Sequence, residues 1–488
     1  MDNDINKKIF NAMKWSTITE IIAKLIAPIT NMVVARFLAP EAFGIVATVT
    51  MITSFADMLT DAGFQKYLVQ HEFKDIDEKN KHITVAFWTN LGISLFLCVL
   101  ISVLCKPIAI LVGNPGLGMV IVVACISLPL TALSSIQMAL YRRDFNYKAL
   151  FYVRFVGICI PFVVTIPLVL IGFSYWALII GTICGNLSNA IILTVKSKWK
   201  PIRFFRISIL KEMLSFSMWS LVEAISIWLT SWIDIFIVGS KLNVHYLGIY
   251  TISMNTVNAV MALITGATTS VLFAALSRLQ NDDVEYKKVF FKFQQIVGLF
   301  VFPMGVGIYM YRDLITSIML GSQWGEASLF IGLWGLMSAF TIVFCNYSSV
   351  AYISQGKPKL SVLAQVLHLI ILIPTILMST KYSFTVLVYA RSLIRFQFII
   401  VQFVIMYFVM KISPWKMVKN VLPSILCAVA MSGVVYLLEK IGRGVLWELV
   451  SIVICAVFYF AFIMLFPSWR KELLHFIRQK TGHLKRLK

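Results

Sequence analysis

Apolar runs of about twenty residues recur from end to end of this 488-residue chain, and each is long enough to cross a hydrocarbon core roughly 30 Å thick. A chain built this way must satisfy its backbone polar groups within each crossing segment, and the α-helix does that. Composition agrees: 59% of the residues are hydrophobic and 13% charged, against roughly 45–50% and about 25% in a soluble globular domain. The expectation is an all-α, polytopic membrane protein, and a cytoplasmic enzyme is disfavoured.

Reading apolar stretches between charges and turn residues predicts fourteen transmembrane helices, at about 15–36, 43–62, 83–105, 117–140, 150–172, 174–195, 214–239, 247–276, 293–311, 328–351, 360–379, 384–410, 420–438 and 446–466. No stretch between them could hold a soluble domain. The segment before the first span carries Asp2 and Asp4 and leads into a run containing Glu20 and Lys24, which is not the form of a cleavable signal peptide. An uncleaved first span is expected.

Basic residues set the orientation, because loops rich in Lys and Arg are retained on the cytoplasmic side. With the N-terminus inside, 32 of the 43 Lys and Arg fall in inner segments and 7 in outer loops. Both termini are therefore expected in the cytoplasm. The net charge of +21 is then accounted for by attraction to anionic membrane lipids, and no nucleic-acid partner is called for. Residues 197–211 interleave Lys198, Lys200, Arg203, Arg206 and Lys211 with Trp199, Phe204, Phe205 and Ile207, a pattern expected to lie in the inner interface.

The sequence also repeats. A shift of 204 residues places Trp15-Ser16 on Trp219-Ser220, and Leu38 with Gly44-Ile45 on Leu242 with Gly248-Ile249. A shift of 211 places Tyr141 on Tyr352 and Lys148 on Lys359. The expected organisation is an N-terminal lobe of six spans at 1–196, a basic interfacial linker at 197–213, a second six-span lobe at 214–410, two further spans at 411–466 and a basic cytoplasmic tail at 467–488. Parallel repeats of this kind are an architecture of alternating-access transporters, which bind substrate near the midplane.

Ionisable side chains within spans are costly, by estimates from about 2.5 to over 10 kcal/mol, so they face water or a partner. Glu20 and Lys24 are four apart and share a helical face, as a self-neutralising pair or as part of a cavity. Arg391 and Arg395 also share a face, with Arg395 roughly 16 Å into its span. Their counter-charge comes from another helix or from an anionic substrate. Arg154 is near a span end and can snorkel to the surface. Asp57, Glu223 and Asp234 are candidates for charge pairing or ion coupling, and Asp61 for the interface. His368 reads as a hydrogen-bonded packing residue. Prolines 28, 129, 161, 167, 303, 374 and 423 lie within spans and tend to kink them.

There is no Walker A loop, HExxH or nucleophile elbow, and no outer loop large enough for a catalytic domain, so the expectation is a transporter and not an enzyme. The eight cysteines form no CxxC pair and no His stands at metal-ligand spacing, so neither metal nor cofactor is expected.

Residues 33–70 carry Ala35-Arg36-Phe37-Leu38 leading to Pro40 and Phe43-Gly44, then Asp61-x-Gly63 and Val69-Gln70. This stretch resembles the N-terminal region of bacterial polysaccharide flippases of the Wzx type, the polysaccharide-transport branch of the multidrug/oligosaccharidyl-lipid/polysaccharide exporter superfamily. Residues 242–249 look like the same element in the second half. The resemblance implies translocation of undecaprenyl-diphosphate-linked oligosaccharide across the bacterial cytoplasmic membrane, with a polysaccharide polymerase complex as partner. Arg391, Arg395 and Lys24 are the candidates for holding the diphosphate, with Arg154 a further basic position. A multidrug exporter and a lipid-linked peptidoglycan-precursor flippase are the related alternatives.

Overall fold

The computed structural model describes residues 28–466 except 62, 145 and 198, together with isolated positions at 15, 19, 22, 23, 26 and 469. The side chains at 216, 217, 219, 220, 223, 267 and 270 are not described. Among the described residues the chain is helical, with 13 helices long and apolar enough to cross a membrane. The expected spans from the second to the fourteenth each coincide with one of them. The first expected span, at 15–36, is described from residue 28 on and at isolated positions before it, and is not among the thirteen.

Helix limits follow local chemistry. The Ile76–Val103 helix begins where Asp75 accepts a hydrogen bond from the Glu78 amide at 2.6 Å, while the Glu78 carboxylate accepts from the Lys74 amide at 2.6 Å. Asp282 opens the Asp283–Met310 helix by accepting from the amides of Val284 and Glu285, each at 3.1 Å. These caps start the two helices about two and nearly three turns before the apolar runs, over polar first turns that hydropathy does not read as span. Likewise the Ile207–Lys241 helix begins within the basic 197–213 stretch.

Proline acts in two ways. Pro161, Pro167, Pro303, Pro374 and Pro423 remain inside continuous helices. Pro129 does not: the span breaks at Cys125-Ile126 between the Gly118–Ala124 and Ser127–Arg143 helices. Proline at 129 cannot donate to the Cys125 carbonyl, and its ring crowds that carbonyl, so the ladder is interrupted there.

The chain forms two compact units, residues 1–255 with 376–384, and residues 256–375 with 385–488. In the first unit the tips of the Pro40–Asp61 and Val244–Arg278 helices meet with no side chain between them. A Cβ on Gly44 would strike the Val244 carbonyl oxygen, and one on Gly248 would strike that of Pro40. Beside them His245 Nδ1 lies 2.8 Å from Glu41 Oε1. Elsewhere in this unit, buried Asn90 donates to the Ser135 hydroxyl at 2.7 Å, a polar link between helices of the kind used where lipid supplies no water.

The second unit has a core of large aromatics, with Trp324, Trp334, Phe302, Phe330, Tyr286, Phe290, Tyr347 and Tyr352 all buried. The Asp283–Met310 helix packs tightly on the Ser328–Thr341 helix: a Cβ on Gly305 would come within 2.7 Å of the Ala339 Cβ. That contact fixes the helix that carries Trp334. A single π-helical turn, Ile342–Asn346, follows, and such turns often mark functional positions. Buried Tyr352 donates to Gln402 Oε1 at 2.7 Å, joining the Tyr347–Ser354 helix to Phe384–Phe408.

Candidate functional site

Arg391 and Arg395 lie on the Phe384–Phe408 helix, one turn apart, and both guanidinium groups converge on one indole ring. The Cζ atom of Arg395 is 3.2 Å from the centroid of Trp334 and that of Arg391 is 4.9 Å from it. Arg395 Nη1 also donates to the Ser338 hydroxyl at 2.7 Å. Trp334 and Ser338 are four apart on the Ser328–Thr341 helix, so two pairs of residues at helical spacing face each other. Trp334 is almost completely buried, and its indole N–H donates to Asn258 Oδ1 at 3.2 Å, which fixes the ring plane.

A guanidinium stacked on an aromatic face is held by the ring quadrupole, at about 0.5–2 kcal/mol depending on desolvation. Stacking occupies the face of the cation and leaves its N–H donors in the plane. Those donors form the fork that matches carboxylate or phosphate oxygens. Arg391 is 7% exposed, whereas Arg395 is half-buried, so one cation is packed into the protein and the other is nearer its surface.

The remaining candidates are dispersed. Lys24 and Glu20 lie outside the described residues, as does the side chain of Glu223. Arg154 occupies an exposed face of the Tyr147–Leu170 helix. Asp57, half-buried, accepts from the Thr131 hydroxyl at 2.7 Å. Asp234 is 2% exposed; its Oδ2 accepts from the Tyr250 hydroxyl at 2.9 Å and its Oδ1 from the Ile235 amide at 2.8 Å. In the second unit His368 Nδ1 lies 2.9 Å from Gln397 Oε1, and its ring packs on Phe398.

Trp334, Ser338 and Asn258 were not singled out in the sequence. An uncharged Trp or Ser in an apolar run looks like core. The one available signal was spacing, since Trp334 and Ser338 stand four apart, as Arg391 and Arg395 do.

Residues 33–329 match the model of a family described as polysaccharide biosynthesis protein. The lipopolysaccharide biosynthesis protein WzxC of Escherichia coli (strain K12) is 21% identical over 328 residues, 66% of this chain and 65% of that protein. The succinoglycan biosynthesis transport protein ExoT of Rhizobium meliloti (strain 1021) is 22% identical over 330 residues, 68% of this chain and 66% of that one. The match thus spans just under two thirds of the length of these two relatives. Among solved structures, the lipid II flippase MurJ in an inward closed conformation superposes with a TM-score of 0.77 at 16% identity, covering 94% of this chain and 100% of that one. The likeness to that structure is one of fold.

Proposed function

Because the chain belongs to the polysaccharide biosynthesis protein family, we propose that it is a flippase. It carries undecaprenyl-diphosphate-linked oligosaccharide across the bacterial cytoplasmic membrane, by alternating access, for assembly of surface polysaccharide. Two relatives, one named for lipopolysaccharide biosynthesis and one for succinoglycan transport, support this substrate class.

The observation that carries the reading is the Arg391–Arg395 pair on Trp334. A diphosphate leaving water for the bilayer interior needs cations that stay charged there, and the guanidinium group does not deprotonate in proteins. Two such groups on one ring, with N–H donors in the guanidinium planes, suit the oxygens of a doubly charged anion. The prenyl chain needs no enclosure because it is as apolar as the lipid around it. No covalent bond changes, so the chain acts as a carrier and not as an enzyme. Asp57, which accepts from Thr131, and Asp234, which accepts from Tyr250, are the candidates for ion coupling or charge pairing.

Deletion of the gene tests the substrate class. Loss of surface polysaccharide with survival of the cells is the expected result. Lethality would indicate a peptidoglycan-precursor carrier. Drug sensitivity with surface polysaccharide intact would indicate a multidrug exporter.

A further inference from the structure

Three elements of the first unit converge on a cluster to which the proposed function assigns no role. His71 follows the Phe64–Gln70 helix, His82 lies in the second turn of Ile76–Val103, and Glu212 lies in the second turn of Ile207–Lys241. Each offers one ligand atom, and these atoms all lie within 4.8 Å of one another. His71 Nε2 is 4.0 Å from Glu212 Oε1, and His82 Nε2 is 3.7 Å from Glu212 Oε2. Glu212 stands 130 positions beyond His82, which is why local Cys and His spacing predicted no such group.

The protonation pattern at His82 can be read from its neighbours. His82 Nδ1 is 2.9 Å from the Glu78 carbonyl oxygen, which can only accept, so Nδ1 carries the hydrogen. In the neutral ring the lone pair then lies on Nε2. His82 is 4% exposed, and among the described residues its buried Nε2 has no hydrogen-bond partner. A buried acceptor in that condition costs free energy unless something binds it. The rest of the cluster is oriented as metal sites are. The Tyr67 hydroxyl donates to Glu212 Oε1 at 2.9 Å, and Arg143 Nη1 donates to the His71 carbonyl at 2.6 Å, holding that turn in place.

We propose that His71, His82 and Glu212 form a binding site for a divalent transition metal of the Zn2+ class, which clamps the start of the Ile207–Lys241 helix to the helices of residues 64–103. Two imidazoles and a carboxylate are a ligand set suited to Zn2+, which takes nitrogen and oxygen at about 2.0–2.2 Å in tetrahedral geometry. Ligand atoms of such a site stand roughly 3.3 Å apart, so closure needs movements of about 1 Å. Glu212 is exposed and His71 half-buried, so both can shift by rotation, while His82 is fixed by its bond to Glu78. The fourth position is left to water.

The test uses the purified full-length protein, stripped with a chelator and titrated with Zn2+ by calorimetry and by thermal unfolding. One Zn2+ per chain, with a raised unfolding temperature that Mg2+ does not reproduce, is the expected result. Co2+ in place of Zn2+ should give the visible absorption of a tetrahedral nitrogen–oxygen site. Tyr67→Phe, which alters only the outer shell, should weaken binding by about 10–100-fold. His82→Ala and Glu212→Gln should weaken it further, and Asp77→Asn nearby should leave it unchanged. If His82→Ala does not fold, Glu212→Gln, an exposed change, decides. Absence of saturable Zn2+ binding, equal stabilisation by Mg2+, or wild-type affinity in Glu212→Gln would overturn the proposal.

Discussion

Gly44 and Gly248 meet backbone to backbone: a Cβ on Gly44 would lie 3.0 Å from the Gly248 amide nitrogen, and a Cβ on Gly248 would lie 3.1 Å from that of Gly44. The contact is reciprocal, since Gly44 also faces Val244 and Gly248 faces Pro40, and the shift of 204 relates Gly44 to Gly248 and Pro40 to Val244. Glu41 and His245, which touch beside them, are separated by the same shift. Repeat-related helix tips thus contact each other through equivalent positions, as the halves of a two-fold interface do. The glycines repeated in the sequence are glycines because the two backbones occupy the space of a side chain.

Gly44→Val and Gly248→Val are each expected to destabilise by at least the roughly 1–3 kcal/mol of an overpacked core, because the colliding atoms are backbone and cannot rotate away. Thermal unfolding in detergent should show a lowered midpoint for either variant, and an unchanged midpoint would refute the contact. Gly92→Ala, where a Cβ meets nothing within 4 Å, is the matched control.

Trp334→Leu keeps apolar bulk but removes the ring beneath both guanidinium groups. With about 0.5–2 kcal/mol of cation–π energy at stake, transport of lipid-linked oligosaccharide should fall by roughly 2–30-fold. Trp334→Phe, which keeps an aromatic face, should lie between Leu and wild type. Equal transport by all three proteins would separate the stack from function.

Tyr250→Phe removes a hydroxyl that donates to the buried Asp234 carboxylate. Losing one partner of a buried charged acceptor costs about 1–3 kcal/mol, so the unfolding midpoint should drop. Asp234→Asn replaces one of the two accepting oxygens with a donor, set against either the Tyr250 hydroxyl or the Ile235 amide, and should drop too. An unchanged midpoint in Tyr250→Phe would contradict the pairing.

Much of the fold was legible in the chain because its dominant signal is length: among the described residues thirteen of the expected apolar runs coincide with membrane-length helical spans, differing at their ends and in the internal breaks at Cys125-Ile126 and Ile342–Asn346. The ends at Asp75 and Asp282 were set by capping, which hydropathy does not register. Pro129 was visible as a kink, yet whether a proline bends or breaks a helix depends on packing, and Pro303 was simply absorbed. Arg391 and Arg395 stood out because charge in an apolar run is rare. Trp334, Ser338 and Asn258 did not, because their role exists only once three helices are side by side. The His71, His82 and Glu212 group was hidden for the same reason.

On the proposed function, the chain moves a lipid-linked oligosaccharide by means of its paired guanidinium groups. The direct measurement is translocation of labelled, diphosphate-linked oligosaccharide in proteoliposomes holding the purified protein, compared with Arg395→Ala and the Arg391→Ala/Arg395→Ala double variant at matched incorporation. The account predicts translocation by the wild type, loss in Arg395→Ala and no activity in the double variant. Undiminished translocation in the double variant, or none with the wild type, would contradict it.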